Sequence, residues 1–162
     1  MGSVQRAAGS PFRISWPLSE ILGGAMSQEN VEIVRAVIRD VLNRDPHLDE
    51  SWRDASEVYH EDFEYREDAS WPGAGTYRGI DAFRKVTSAY SEAFEEMTLE
   101  VERTFDAGDC VVAFIRLWAR GQGGAEAEMH QAGIFTVRDG RLASWQVVFD
   151  RAEALEAAGL SE

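Results

Sequence analysis

The carboxy-terminal half of this 162-residue chain sets the strongest constraint on its fold. From Leu99 onward it reads as four strands separated by turn signals. Leu99, Val101, Arg103 and Phe105 alternate with Glu100, Glu102 and Thr104, the period-two pattern of a half-buried strand. Ala107-Gly108-Asp109 turns the chain into Cys110 to Arg120, a long and mostly apolar run. Gly121-Gln122-Gly123-Gly124 turns it again into Glu126 to Arg138. Asp139-Gly140 is a hairpin pair, and Arg141 to Asp150 follows as the last strand. Four strands joined by such short turns form an antiparallel meander, and a sheet of this kind must bury at least one face.

The amino-terminal half supplies the cover. A first helix is expected over Gln28 to Asn43, with Ser27 as N-cap and Glu29 beside the positive helix end. Val31, Val34, Ile38, Val41 and Leu42 form its apolar stripe, and Asp45-Pro46 stops it. A second, shorter helix covers Ser51 to Tyr59, with Trp52, Ala55, Val58 and Tyr59 on one face. A short strand follows at Phe63 to Glu67. Residues 68–79 are a loop by their glycines and proline. A third helix runs from Asp81 to Glu96, with Phe83, Val86, Tyr90, Phe94 and Met97 in line. Residues 151–162 read as a short helix or tail. The segregation of helices and strands is that of an α+β fold, a curved antiparallel sheet wrapped on three helices. There is no internal repeat.

Length and charge narrow the function. One domain is the default at this size, spanning residues 26–162. Residues 1–25 hold scattered glycines and prolines without a period, and read as a flexible extension with Met26 as the effective beginning. Pro11, Arg13 and Pro17 interrupt any signal-peptide core there. The alternative is a packed arm anchored by Phe12, Ile14, Trp16 and Leu18. Acidic residues outnumber basic ones 29 to 16, a net charge of −13. Phosphate binding needs a basic surface, so nucleic acid and anionic membranes are disfavoured as partners. The chain has no apolar run long enough to span a bilayer, and a cytoplasmic location is expected. The single cysteine, Cys110, excludes an internal disulfide. The cluster Glu92, Glu95, Glu96, Glu100 and Glu102 reads as a solvated acidic face.

Several short motifs in order carry a resemblance. They are Asn43-Arg44-Asp45, Glu61-Asp62-Phe63-Glu64-Tyr65, Gly75-Thr76-Tyr77-Arg78-Gly79, Ala107-Gly108-Asp109, Arg138-Asp139-Gly140 and the closing run from Asp150 to Leu160. Together they resemble the SnoaL-like branch of the nuclear transport factor 2-like superfamily over residues 26–160. The resemblance implies a cystatin-like α+β barrel, a cone closed by the sheet around an apolar pocket. It also implies a homodimer through the outer face of the sheet, and no cofactor.

The same resemblance sets out several chemistries. Ketosteroid isomerases need a carboxylate base before the glycine-rich loop, which falls at Glu67. They also need a tyrosine and a late acid to hold an oxyanion, and those positions fall at Ile38 and near Gly133. The base is present and both donors are replaced, so steroid isomerisation is disfavoured. Epoxide hydrolases of the superfamily need an Asp-Arg-Asp set. Here Arg116 is kept, while the aspartates become Trp118 and Val147, and that mechanism is disfavoured too. Polyketide cyclases of the branch often carry a late-strand histidine. His130 is the nearby one, and alternation turns it away from the face of Phe135. His47 and His60 read as surface residues. No histidine pair has metal-ligand spacing, so no metal is expected.

If alternation holds, Trp145, Val147 and Phe149 face the cone. So do Phe114, Arg116 and Trp118 on the central strand, with Gln131 and Phe135 beside them and Tyr65 and Glu67 near the mouth. The loop adds Trp71 and Tyr77 as a lid. Such a lining fits a small, apolar, ring-bearing metabolite. Glu67 would be the acid/base of a cofactor-free isomerase, cyclase or dehydratase. Arg116 would otherwise pair with Glu67 and make both structural. The alternative is a non-catalytic dimeric ligand-binding or protein-interaction module.

Overall fold

A computed structural model describes residues 19–42, 55–108 and 110–160. The expected end of the first helix at Asn43, His47, Trp52 and the amino-terminal arm lie outside them. Helix α1 spans Ser19–Ala36 and widens into a π-helical turn, Val37–Leu42. It begins upstream of the expected start at Gln28. Gly23 and Gly24 lower helix propensity by about 1 kcal/mol each, which is why the sequence reads as helix only after them. Helices propagate cooperatively from a packed segment, and Ile33, Val34, Val37 and Ile38 supply it by burying completely or nearly so.

Helix α2, Ala55–Val58, runs directly into strand β1, Tyr59–Arg66. The loop expected at 68–79 contains a strand that periodicity is too short to reveal, β2, Thr76–Arg78. Helix α3, Ile80–Ala93, starts at Gly79, whose φ of 86° no β-carbon would favour. It ends where Phe94 turns extended, so the chain enters β3, Phe94–Asp106, without a loop. Strands β4, Cys110–Gly121, β5, Glu126–Arg138, and β6, Arg141–Val148, complete the meander. Asp139 and Gly140 both have positive φ, as the β5–β6 hairpin requires. Helix α4, Arg151–Ala157, is capped by Asp150, whose side chain accepts from the backbone N–H of Glu153.

The strands form one six-stranded sheet in the order β2-β1-β6-β5-β4-β3. All neighbours are antiparallel except the parallel pair β1 and β6. The fold is therefore α+β with a curved open sheet, as the segregation of elements required. Its inner face carries the main core. Phe63, Tyr65, Val111, Ile115, Phe135 and Trp145 pack there against Ile33, Val34 and Phe83 of the helices. A second, smaller cluster lies on the outer face, where Val112, Ala132 and Val148 pack under Ala154 and Leu155 of α4.

Register fixes which residues share a face. Val111 pairs with Phe135, Ala113 with Gly133, and Ile115 with Gln131. Odd-numbered residues of β4 therefore line the inner face. Phe114, Arg116 and Trp118 stand on the outer face, which corrects their expected place in the cone. The reason is that β4 is apolar on both sides along Val111 to Ile115, so alternation gave no parity. The outer face also holds a bulge in β3 near Glu102, which puts Arg103 opposite Phe114.

Candidate functional site

The site is built where β1 ends. Tyr65 points inward beside Trp145, its register partner on β6. Glu67 follows two residues later and is only 7% exposed. The loop after it folds back so that the Glu67 backbone N–H donates to the Gly75 carbonyl at 3.0 Å. The Gly75 N–H donates in return to Glu67 Oε1 at 3.1 Å. Tyr77, from β2, donates its hydroxyl to the same oxygen at 3.4 Å. Tyr90, from the last turn of α3, donates to Glu67 Oε2. Trp71 is hydrogen-bonded to the Tyr90 hydroxyl. An indole N–H can only donate, so the chain of bonds runs from Trp71 to Tyr90 to Glu67.

The phenols around this carboxylate hold their protons tightly. Burial, then the hydrogen bond to Glu67 and its charge, pushes the Tyr90 hydroxyl far above its ordinary range. Burial raises Tyr65 strongly as well, with Tyr90, Glu67 and Tyr77 adding to it. Tyr77 is raised by burial and by Glu67. Tyr77 and Tyr90 therefore stay protonated donors to Glu67 throughout the neutral range.

Asp68 ties the same loop to the last strand. It accepts from Ser70 Oγ at 2.6 Å, Ser70 N at 2.8 Å and Phe149 N at 2.8 Å. Burial pushes its carboxyl up, but these hydrogen bonds outweigh it and hold the group below the usual carboxylate range. The loop so fixed brings Trp71 edge-on to Phe149, with ring centres 5.8 Å apart. Farther in, Tyr65 meets Trp145 edge-on at 5.1 Å, and Trp145 stacks on Phe135 at 5.3 Å. The arrangement is a buried carboxylate with two phenol donors at one end of an aromatic wall.

Glu67, Tyr65, Trp71, Phe135, Trp145, Phe149 and Gln131 are thus on the inner side, with Gln131 5% exposed. The other three expected site residues are elsewhere. Arg116 pairs with Glu128 at 3.0 Å and Glu100 at 3.1 Å on the outer face. The expected alternative, an Arg116–Glu67 ion pair, is not formed. Trp118 donates to Glu126 at 3.0 Å. With Arg116 it borders a cavity of about 380 Å³ at the β3 edge, beside Arg35, Ile38 and Arg39. Phe114 carries the guanidinium of Arg151 over its ring at 4.6 Å. His130 is on the outer face too, 3.0 Å from Glu128 and 3.5 Å from Glu102. Among the described residues no group of three His, Cys, Asp or Glu side chains could hold a metal ion. Tyr90 and Asp68 were not singled out from sequence. Tyr90 read as one more residue of an apolar stripe, and Asp68 as loop.

Comparison with known proteins agrees with this architecture. The chain matches the SnoaL-like domain family over residues 30–145, and it belongs to that family. One similar solved structure is a putative SnoaL-like polyketide cyclase from Jannaschia sp. CCS1. It is 20% identical, with a TM-score of 0.62 over 82% of this chain and 93% of that one. TerC, co-crystallised with polyporic acid, is 21% identical, with a TM-score of 0.63 over 80% and 98%. A hypothetical protein from Catenulispora acidiphila with a ketosteroid isomerase-like fold, in complex with trimethylamine, is 18% identical. Its TM-score is 0.61 over 80% and 93%. No curated protein sequence matches the chain significantly. Among the described residues no helix is long and apolar enough to cross a membrane.

Proposed function

We propose that this chain binds a small ring-bearing organic molecule against the Tyr65–Trp145–Phe135 wall and that Glu67 moves a proton on it. One observation carries the reading. Glu67 is a buried carboxylate that meets phenols and a backbone N–H rather than a guanidinium. Its nearest alternative role, pairing with Arg116, is taken by Glu100 and Glu128. Isomerases, cyclases and dehydratases share one elementary step. A base takes a proton from a carbon beside a carbonyl, and the electron pair passes to the carbonyl oxygen. Glu67 is the base in that step. Tyr90, bonded to Glu67 Oε2, holds the carboxylate in place, and Trp71 holds Tyr90. The step uses only groups of this chain.

The test uses 1-tetralone, a bicyclic ketone, in deuterated buffer. Mass spectrometry follows deuterium entering the carbon beside its carbonyl. The protein accelerates exchange above the buffer rate, and Glu67→Gln returns it to that rate while the circular dichroism spectrum is unchanged. Exchange that persists in Glu67→Gln sinks the assignment.

A second reading rests on the same carboxylate. Both oxygens of Glu67 accept hydrogen bonds, and these pin the 67–75 loop. In a binding protein without catalysis that pinning is the whole role of Glu67. Native mass spectrometry of freshly purified protein separates the two. It also tests the homodimer through the outer sheet face, which this reading takes over from the family. Two chains plus a few hundred daltons of retained ligand, with no exchange activity, would favour the binding protein.

A further inference from the structure

The cavity of about 380 Å³ lies at the opposite edge of the sheet from β1, the strand that Glu67 follows. Its lining shares no residue with the hydrogen-bond partners of Glu67. It touches Thr98, Leu99, Glu100 and Val101, consecutive residues of β3. Successive side chains of a strand point to opposite faces, so a cavity that touches all of them runs along the open edge. β3 is the last strand of the sheet and, among the described residues, pairs with β4 alone. Leu99 and Ile38, 8% and 1% exposed, give the cavity an apolar floor. Trp118 stands on its outer side, opposite Thr98.

The same cavity is a cationic spot on an acidic protein. Three of the chain's 16 lysines and arginines line it, Arg35, Arg39 and Arg116, against one acid, Glu100. Arg116 is matched on the outer face by Glu100 and Glu128. The guanidinium of Arg35 instead donates to the neutral hydroxyl of Thr104 at 3.2 Å. That bond uses one of five N–H donors and compensates none of the charge. Arg39 follows four residues on, inside the π-helical turn Val37–Leu42. Side chains four apart share a helix face, and like charges so placed repel. Single π turns within α-helices recur at functional sites, and this one brings two arginines to one cavity.

We infer that the β3 edge holds a binding site of its own, whose ligand is a small organic carboxylate with an apolar body. The carboxylate meets Arg35 and Arg39, whose guanidinium forks match its planar oxygens, and relieves their repulsion. The body lies on Leu99 and Val101, with Trp118 beside it. The volume falls in the range of about 300–1,000 Å³ usual for small-molecule pockets. Overall charge does not forbid such an anion. Screening cuts the field of distant carboxylates beyond about 8 Å at physiological salt, so a small ligand feels the arginines, whereas a polyanion would also meet the acidic surface around them. The site does not depend on proton transfer by Glu67.

The experiment titrates 15N-labelled protein with 3-phenylpropionate and with its neutral amide, 3-phenylpropanamide. The acid shifts the backbone N–H signals of Thr98 to Val101 and the indole signal of Trp118. It leaves those of Ser70 and Gly75, beside Glu67, in place. The amide binds about tenfold more weakly, the loss of a charge-assisted contact. Arg35→Gln weakens the acid to the level of the amide and leaves the amide unchanged. Arg35→Lys, which keeps the charge and lacks the fork, recovers part of the loss. Added salt weakens the acid and spares the amide. The comparison of acid with amide in the unsubstituted protein stands even if a variant fails to fold. Equal binding of the two compounds overturns the carboxylate assignment. Shifts centred on Ser70 and Gly75 overturn the edge site and put the ring on the inner face. If neither compound binds, the edge site is wrong, while the exchange test of Glu67 with 1-tetralone is unaffected.

Discussion

The hydroxyl of Tyr90 donates to Oε2 of Glu67, and this bond joins the last turn of α3 to the residue that follows β1. The two elements touch chiefly through apolar side chains such as Phe83 and Tyr65. The bond adds the polar link between them. Removing it leaves a buried carboxylate oxygen short of a donor, which costs about 1–3 kcal/mol. Tyr90→Phe should therefore lower the unfolding free energy measured in urea by that amount and loosen Trp71, which loses its acceptor. Tyr77→Phe should cost less, because its bond to Glu67 is 3.4 Å long. Equal losses from the two variants would mean that the Tyr90 bond does not anchor the carboxylate.

The phenols give the fold an alkaline limit. Tyr59 and Tyr65 are raised by burial, and Tyr90 by burial and Glu67. Each is neutral in the fold and binds its proton more tightly there than in the unfolded chain. Their contribution is therefore complete below the ordinary tyrosine value of about 10 and is lost as pH climbs through the raised folded values. Denaturation midpoints should fall steeply above about pH 10, and Tyr65→Phe should flatten the fall. Asp68 has the opposite sign. Its carboxyl is held below the ordinary 3.8 in the fold. The stability it adds is present above that value and is lost as pH falls through the folded one. Asp68→Asn should remove that acid-side slope and free the Ser70 turn, read by faster amide exchange at Ser70 and Phe149.

The meander was legible because its turns are marked by glycine and its strands alternate. Glu126–Arg138 begins and ends where the sequence places it. The face of β4 was not legible. Val111, Val112, Ala113, Phe114 and Ile115 are apolar on both sides, because one side meets the helical core and the other lies under α4. Arg116 reads inward only if Phe114 does, and the pairing of Ile115 with Gln131 decides otherwise. Glu67 was found as a lone carboxylate near aromatics. Its partner Tyr90 was hidden, since a tyrosine in an apolar helical stripe carries no mark of where its hydroxyl ends. That information lies in the loop path through Gly75, which is a tertiary property.

Gly133 sets the depth to which Trp145 sinks. A methyl group there would meet Phe135 at 2.5 Å and the indole nitrogen at 2.7 Å, below any normal contact. Both rings are held by neighbours, Trp145 by Tyr65 and Phe83. Neither can retreat without disturbing the wall. Overpacking of this kind costs about 1–3 kcal/mol, so Gly133→Ala should lower the denaturation midpoint accordingly and alter the near-ultraviolet circular dichroism of the aromatic cluster. An unchanged spectrum and midpoint would mean that the rings have more room than their contacts allow.

Arg116 provides the complementary control. Its guanidinium bridges Glu100 on β3 and Glu128 on β5 across the outer face, and the two hydrogen bonds raise its pKa. Pairs this exposed add little to stability, because water and salt screen them and long side chains must be ordered. Arg116→Met should leave the denaturation midpoint close to that of the parent at moderate salt. The variant should lose part of its stability at low salt, where Glu100 and Glu128 repel each other unscreened. Deuterium exchange of 1-tetralone and the affinity for it should be untouched, since the side chain lies across the sheet from Glu67 and Trp145. Loss of exchange in a folded Arg116→Met variant would place the guanidinium in the chemistry and move the site away from Glu67.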